Sequence, residues 1–263
     1  MKKKKKEKPI AYGENGAIIY DVYVMTKGEW LFYAALASAG LAVLGWVFYQ
    51  RAWLSAVLAC GGVFYPKYQT KVLLKKRKQQ LTLQFKDMLY SLSSAVSSGS
   101  SVERGFALAL EDMRNQYVDP NTYIIRELEL ICSKLSLNQN IEEVLRELGE
   151  RSGIEDIVTF ASIFEISKRT GGNIIEIIRQ TTNVISDKIE VETEMDTMLS
   201  GKKMEQKVLT VVPVVLLLLL TKTTGDFMYP VFHSFGGAVV STIALVMIGA
   251  GSLWSRKITD IQI

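Results

Sequence analysis

Trp30-Leu31-Phe32-Tyr33-Ala34-Ala35-Leu36-Ala37-Ser38-Ala39-Gly40-Leu41-Ala42-Val43-Leu44-Gly45-Trp46-Val47-Phe48-Tyr49 is twenty residues without one Asp, Glu, Lys or Arg. As a helix it is ~30 Å long, enough to cross a hydrocarbon core. Aromatic residues stand at both ends, where membrane interfaces place them. Beyond Gln50-Arg51, Ala52 to Tyr65 is uncharged again. Those fourteen residues give only ~21 Å, marginal for crossing, but Arg51 can snorkel and Pro66 to Gln69 can carry the helix into the interface. Residues 30–66 are therefore expected to form a transmembrane helical hairpin.

The pattern returns late in the chain. Val208 to Thr221 is uncharged, contains the run Val214 to Leu220, and lies between Lys207 and Lys222. Gly237 to Trp254 adds eighteen uncharged residues. Residues 208–255 thus supply a third and a fourth span, joined by a loop over 222–236 that holds Gly225, Pro230 and His233.

Charge sets the expected orientation. Lys2 to Lys6 and Lys8 lie in the basic segment 1–29, before the first span. Lys67, Lys71, Lys75, Lys76, Arg77 and Lys78 follow the second, and Arg256 and Lys257 begin the tail 256–263. The opposite loops carry little charge. By the positive-inside rule both termini and the middle section face the cytoplasm. A nucleic-acid arm explains the lysines less economically than a topology signal does, and no nucleic-acid partner is expected. Tyr12, Ile18, Ile19, Tyr20 and Tyr23 suggest a short amphipathic element on the membrane surface.

Residues 67–207 read as a cytoplasmic six-helix bundle, since no sustained alternation appears. The first helix runs from about 67 to 98 and stops at Gly99, a left-handed position. Ser100-Ser101-Val102-Glu103 resembles a capping box. The second carries Val102, Phe106, Leu110, Met113 and Tyr117 on one stripe. Asp119-Pro120 leads into a third over about 121–137, with Ile124, Leu128, Ile131 and Leu135 inward. Asn140 caps the fourth, which ends before Gly153. Ser152 to Glu155 suggests a second box and opens a fifth with Ile157, Phe160, Ala161 and Phe164. Gly171-Gly172 ends that helix, and Asn173 caps a sixth that can run unbroken into the third span. Ile174, Ile178, Ile185 and Ile189 mark its inner side. The chain is thus expected to be an all-α membrane protein of four transmembrane helices, two before and two after the bundle.

Composition fits a protein of two parts. Hydrophobic residues are 48%, charged residues 22%, the net charge is +4 and the mean hydropathy is +0.16. Two Cys exclude a disulfide scaffold. Neither Cys60 nor Cys132 has a His or Cys at ligand spacing, so no metal is expected. No GxxxxGK[ST] occurs, and Gly171-Gly172 reads better as a helix stop than as a phosphate cradle. His233 reads as a polar interfacial residue, and Glu190, Glu192, Glu194 and Asp196 as a solvated face. The spans hold no ionisable residue, which argues against an ion-coupled carrier. Pro213 should kink the third span. The residues point to no enzyme and no cofactor, but to a part that binds and moves. A scaffold of an envelope machine and a MotA/ExbB-like stator subunit both match this pattern.

The run Phe85-Lys86-Asp87-Met88-Leu89-Tyr90-Ser91-Leu92, continuing through Gly99, Ser101 and Glu103, resembles the opening of the type II secretion system F domain. Leu145 to Gly149, Arg151-Ser152-Gly153, Glu155-Asp156, Phe160 and Gly171-Gly172-Asn173 resemble its middle. Glu205-Gln206-Lys207 leading to Pro213 resembles its exit. Arg256-Lys257-Ile258 after the last span is similar to the ending of TadB-type proteins of Tad (Flp) pili, which the N-terminal hairpin also favours. The resemblance covers about 67–263. It implies a platform protein of the bacterial cytoplasmic (inner) membrane at the base of a type IV-like pilus or type II-like secretion machine. Implied partners are a hexameric TadA-like secretion ATPase, pilin subunits, the lipid bilayer, and a TadC-like homologue or a second copy. Lys168, Arg169 and the Gly171-Gly172 turn are the expected ATPase-facing edge.

Overall fold

The structure is a computed structural model, and it describes residues 10–12, 18–223, 232 and 234–259. Lys2 to Lys6, Lys8, His233 and most of the expected loop over 222–236 lie outside the described residues, as do the side chains of Arg256 and Lys257. Two strands and nine α-helices are described: β1 (Ile10–Tyr12), β2 (Ile18–Tyr23), α1 (Lys27–Tyr49), α2 (Ala52–Cys60), α3 (Tyr65–Ser97), α4 (Val102–Gln116), α5 (Tyr123–Ser136), α6 (Ile141–Ser152), α7 (Glu155–Thr170), α8 (Ile174–Thr223) and α9 (Phe235–Thr259). A 3-10 turn, Gly61–Phe64, joins α2 to α3. The chain divides into two compact units, 1–26 with 70–190, and 27–69 with 191–263.

The first unit packs α4 to α7, most of α3, the start of α8 and the inner side of β2 around one apolar core. Leu81, Phe85, Met88, Leu89, Leu92 and Val96 recur at three-to-four spacing along α3 and are buried. Facing them are Phe106, Ala109 and Met113 of α4, Ile124, Leu128 and Ile131 of α5, and Val144, Leu145 and Leu148 of α6. Ile157, Phe160, Ala161 and Phe164 of α7 and Ile178 and Ile185 of α8 complete the cluster. Phe85 meets Phe160 edge to face, with centroids 5.6 Å apart.

The helix ends differ from the expected caps in detail. Ser101, not Ser100, caps α4, accepting from the Arg104 N–H at 3.3 Å. The residue at the third helical position is therefore Arg104, and no reciprocal glutamate bond can form. At α7 the N-cap is Ile154; Ser152 instead donates to the Gly149 carbonyl and accepts from Ile154 N–H. Asn173 does accept from the Glu176 N–H at 3.2 Å. Gly99, Gly153 and Gly171 have φ of 96°, 57° and 72°. Only residues without a Cβ enter that region at little cost.

The N-terminal reading needs correction. Residues 18–23 are a strand, not an amphipathic element on a membrane surface. β1 and β2 pair antiparallel, with an irregularity between Ile10 and Ala11. Alternation turns Ile18 and Tyr20 inward, and Tyr20 is fully buried. Two inward residues are too short a period for a sequence pattern to reveal.

The second unit is helical and apolar on its outside. α1 and α2 form a tight hairpin through Gln50 at φ 47°. A Cβ on Gly45 would lie 2.8 Å from Ser55 Cα, and one on Gly62 would lie 2.5 Å from the Ser38 backbone nitrogen. Small residues here let two backbones approach closely. Val47, Phe48 and Tyr49 pack with Leu54, Leu58, Val214, Leu217, Ala244, Leu245 and Ile248. Tyr49 Oη and Thr242 Oγ1 share a hydrogen bond at 2.8 Å. Pro213 lies inside α8, which continues on both sides.

Among the described residues, three helices are long and apolar enough to cross a membrane: Lys27–Tyr49, a window of Ile174–Thr223, and Gly236–Ser255. Their apolar side chains face outward, with Leu209, Leu219 and Met247 each more than half exposed. That is the surface of a multi-pass membrane protein, because water would reject it and lipid would not. The expected second span is not a single helix of that length. It is the nine residues of α2, the 3-10 turn at Gly61-Gly62, and the start of α3.

Candidate functional site

The first unit offers two places where charged side chains are organised. One is a groove of about 520 Å³ between the start of α6 and the end of α7, lined by Asn140, Glu142, Glu143, Arg146, Glu165, Lys168 and Arg169. α6 begins with Glu142 and Glu143 in its first turn, and α7 ends with Lys168 and Arg169 in its last. Both placements complement the helix dipoles. Lys168 pairs with Glu142 at 3.0 Å, and Arg169 with Glu165 at 2.7 Å. Burial acts to raise the Glu142 pKa, but a backbone N–H and Lys168 outweigh it and hold the carboxyl below its usual range. Glu143 and Arg146 make no ion pair among the described residues. The groove is thus a balanced surface of three carboxylates and three cations. It can recognise a partner by charge, and it holds no nucleophile beside a base.

Lys168 and Arg169 therefore share one groove, whereas Gly171 and Gly172 do not line it. Gly171 and Gly172 do not form a phosphate cradle. The N–H groups of both donate to the Ser167 carbonyl, Gly172 at 2.7 Å. Among the described residues, no three His, Cys, Asp or Glu come together as a metal site would need.

The second place lies under the β-hairpin. Glu127 of α5 is 1% exposed, sitting among Ile124, Leu128 and Ile131 on the inward stripe. Arg151 clamps it, Nη1 to Oε1 at 3.1 Å and Nη2 to Oε2 at 2.6 Å. Tyr20 Oη donates to Oε1 at 2.8 Å, and Arg151 Nη1 also donates to the Ile18 carbonyl at 2.9 Å. Burial opposes the Arg151 charge, but the Glu127 carboxylate overcomes it and raises the pKa. Burial first, then Glu127, drive the Tyr20 phenol upward. Tyr117 is driven upward in the same way by burial and by its 2.6 Å bond to Asp87.

Arg77 and Lys78 contact the same hairpin from α3. Arg77 is 3% exposed, with its guanidinium carbon 4.6 Å from the Tyr23 ring centroid. Its Nε and Nη2 have no hydrogen-bond partner among the described residues. Lys78 reaches Asp21 at 2.6 Å and the Gly153 carbonyl at 2.9 Å. Both residues hold the hairpin, whereas Lys67, Lys71, Lys75 and Lys76 are exposed. A charge count over the block could not separate the two groups.

Sequence reasoning missed Glu127 altogether and placed Tyr20 on a membrane-surface element instead of in the core. One signal was present. Glu127 falls at i+3 from Ile124 and i+4 to Ile131, a charge on an apolar stripe. Comparison of the chain with protein-family models, with curated proteins and with solved structures finds no match.

Proposed function

We propose that this protein is the membrane platform of a type IV-like pilus or type II-like secretion machine, coupling a cytoplasmic secretion ATPase to pilin assembly. One observation carries the reading: the residues that resemble the F domain are those that organise the bundle. Phe85, Leu89 and Leu92 are core, and Asp87 holds Tyr117. Gly99, Gly153 and Gly171 turn the chain, Ser101 caps α4, and Arg151 clamps Glu127. An ordered set of positions with these duties is what a shared architecture requires.

In this reading Ala52 to Tyr65 is the second of four spans, both termini are cytoplasmic, and the membrane is the bacterial inner one. The ATPase engages the α6–α7 groove through Lys168, Arg169 and their neighbours. Its strokes reorient the bundle, and α3 and α8 carry the motion toward lipid, where pilins are lifted. Both helices run unbroken past the boundaries between the units, which supports a mechanical coupling. A TadC-like homologue or a second copy completes the platform.

The test uses the full chain in detergent, since a fragment beginning at Lys67 lacks Tyr20 and the rest of the hairpin. The cognate ATPase should co-purify with it, and Lys168→Glu with Arg169→Glu should weaken that association at least tenfold. No association, together with normal pili in a deletion strain, refutes the reading.

A further inference from the structure

From Tyr65 to Lys86, α3 holds no acidic residue. Lys67, Lys71, Lys75 and Lys76 in that stretch are exposed, and none has an ion pair among the described residues. Lys78 and Lys86 on the same helix, and Lys134, Lys168, Lys188, Lys202 and Lys203 elsewhere, each sit beside a carboxylate, whereas Lys27, Lys207 and Lys222 are single lysines that make no ion pair among the described residues. An i, i+4, i+8 spacing puts Lys67, Lys71 and Lys75 within one arc of about 80°. Tyr68 falls beside that arc, 56% exposed, and its ring lies 6.4 Å from that of Tyr65. Phe64, just before, is 72% exposed. Exposed aromatics followed by unpaired lysines on one face match the order of a bilayer surface, with acyl boundary first and headgroups next.

We propose that Lys67, Lys71 and Lys75 form a stripe that binds anionic phospholipid headgroups. This rests on reading Ala52 to Tyr65 as a span. At 1.5 Å per residue the three lysines stand about 3, 9 and 15 Å along the helix from Tyr65. The first two lie within the headgroup layer, and the third within about one Debye length of it. The basic set on α8 is sparser, because Lys202 and Lys203 pair with Glu205 and Asp196 on their own helix and Lys207 alone is exposed without an ion pair among the described residues. A juxtamembrane lysine is worth about fivefold in preference for an anionic surface, so Lys67 and Lys71 together give about twenty-five-fold.

The experiment reconstitutes the full chain in phosphatidylcholine vesicles. Spin-labelled phosphatidylglycerol and phosphatidylcholine then compete for its surface. The anionic phosphatidylglycerol should be preferred by about tenfold or more in low salt. That preference should fall to near unity in the Lys67→Gln, Lys71→Gln, Lys75→Gln variant and in about 1 M salt, and persist in Lys202→Gln, Lys203→Gln. Equal preference in wild type and triple variant overturns the proposal. So does a triple variant that keeps its lipid preference but loses a protein or nucleic-acid partner. In parallel, a spin label on Cys60, which is exposed, in a Cys132→Ser background reports oxygen against nickel accessibility. Nickel access there refutes the span itself, whereas oxygen access without lipid preference refutes the stripe alone.

Discussion

Replacing Arg151 by Met removes the only cation that, among the described residues, is clamped on Glu127, whose side chain is 2% exposed against 13% for the arginine. Stripping one partner from a buried ion pair costs about 3–5 kcal/mol, because the remaining charge stays in a low-dielectric site. Tyr20 still donates to Glu127, but one neutral hydroxyl cannot replace a bidentate guanidinium. The Ile18 carbonyl loses its donor as well. Against a typical domain stability of about 5–15 kcal/mol, this takes a large share. Urea unfolding of the full chain in detergent, read by near-UV dichroism and by amide exchange across residues 70–190, measures it. The hairpin amides should lose protection along with those of α5 and α6. Glu127→Leu combined with Arg151→Met should destabilise less than Arg151→Met alone, since no charge is then stranded. A loss under about 1 kcal/mol in the single variant, or strict additivity in the double, refutes the assignment of this pair as the anchor of the hairpin.

Tyr20→Phe deletes a hydrogen bond to a buried carboxylate and should cost about 1.5–3 kcal/mol in the same assay. Tyr20 and Tyr117 keep their protons when folded, whereas unfolded tyrosine ionises near pH ~10. The unfolded state therefore binds fewer protons above that pH, and stability falls as pH rises past ~10. A Tyr20→Phe, Tyr117→Phe double variant should show a shallower alkaline slope. Gly171→Ala meets no atom within 4 Å but must hold a φ of 72°, so it should cost about 1–2 kcal/mol through the backbone alone. Gly171→Asn, which tolerates that region better, should recover part of the loss.

Helix number and inward stripes in the bundle were legible because 3.6-residue periodicity averages over a dozen positions. The buried set on α7, Ile157, Phe160, Ala161 and Phe164, follows directly from it. Cap residues were less legible: Ser100 and Ser101 compete for one site, and only the backbone geometry selects Ser101. The hairpin was illegible for a different reason. Tyr20 earns its place through Glu127, 107 residues away, and no local pattern carries such a contact. Arg77 failed similarly, since a charge run gives a sign but not a burial. In the apolar regions the difficulty was Gly61-Gly62, where contact with Ser38 accompanies a 3-10 turn between α2 and α3.

The long reach from Tyr20 to its partners also sets an order of events during synthesis. The hairpin leaves the ribosome first, and the arginine whose side chain holds the Ile18 carbonyl follows 133 residues later. At about 5–20 residues per second, that interval is roughly 7–27 s. The apolar helix α1 emerges early in it. The strand must therefore wait, unpaired with its bundle, while the translocation machinery is already receiving the segment that follows it. The contacts that bury Ile18 and Tyr20 against Glu127 and Arg151 can form only after α6 is made.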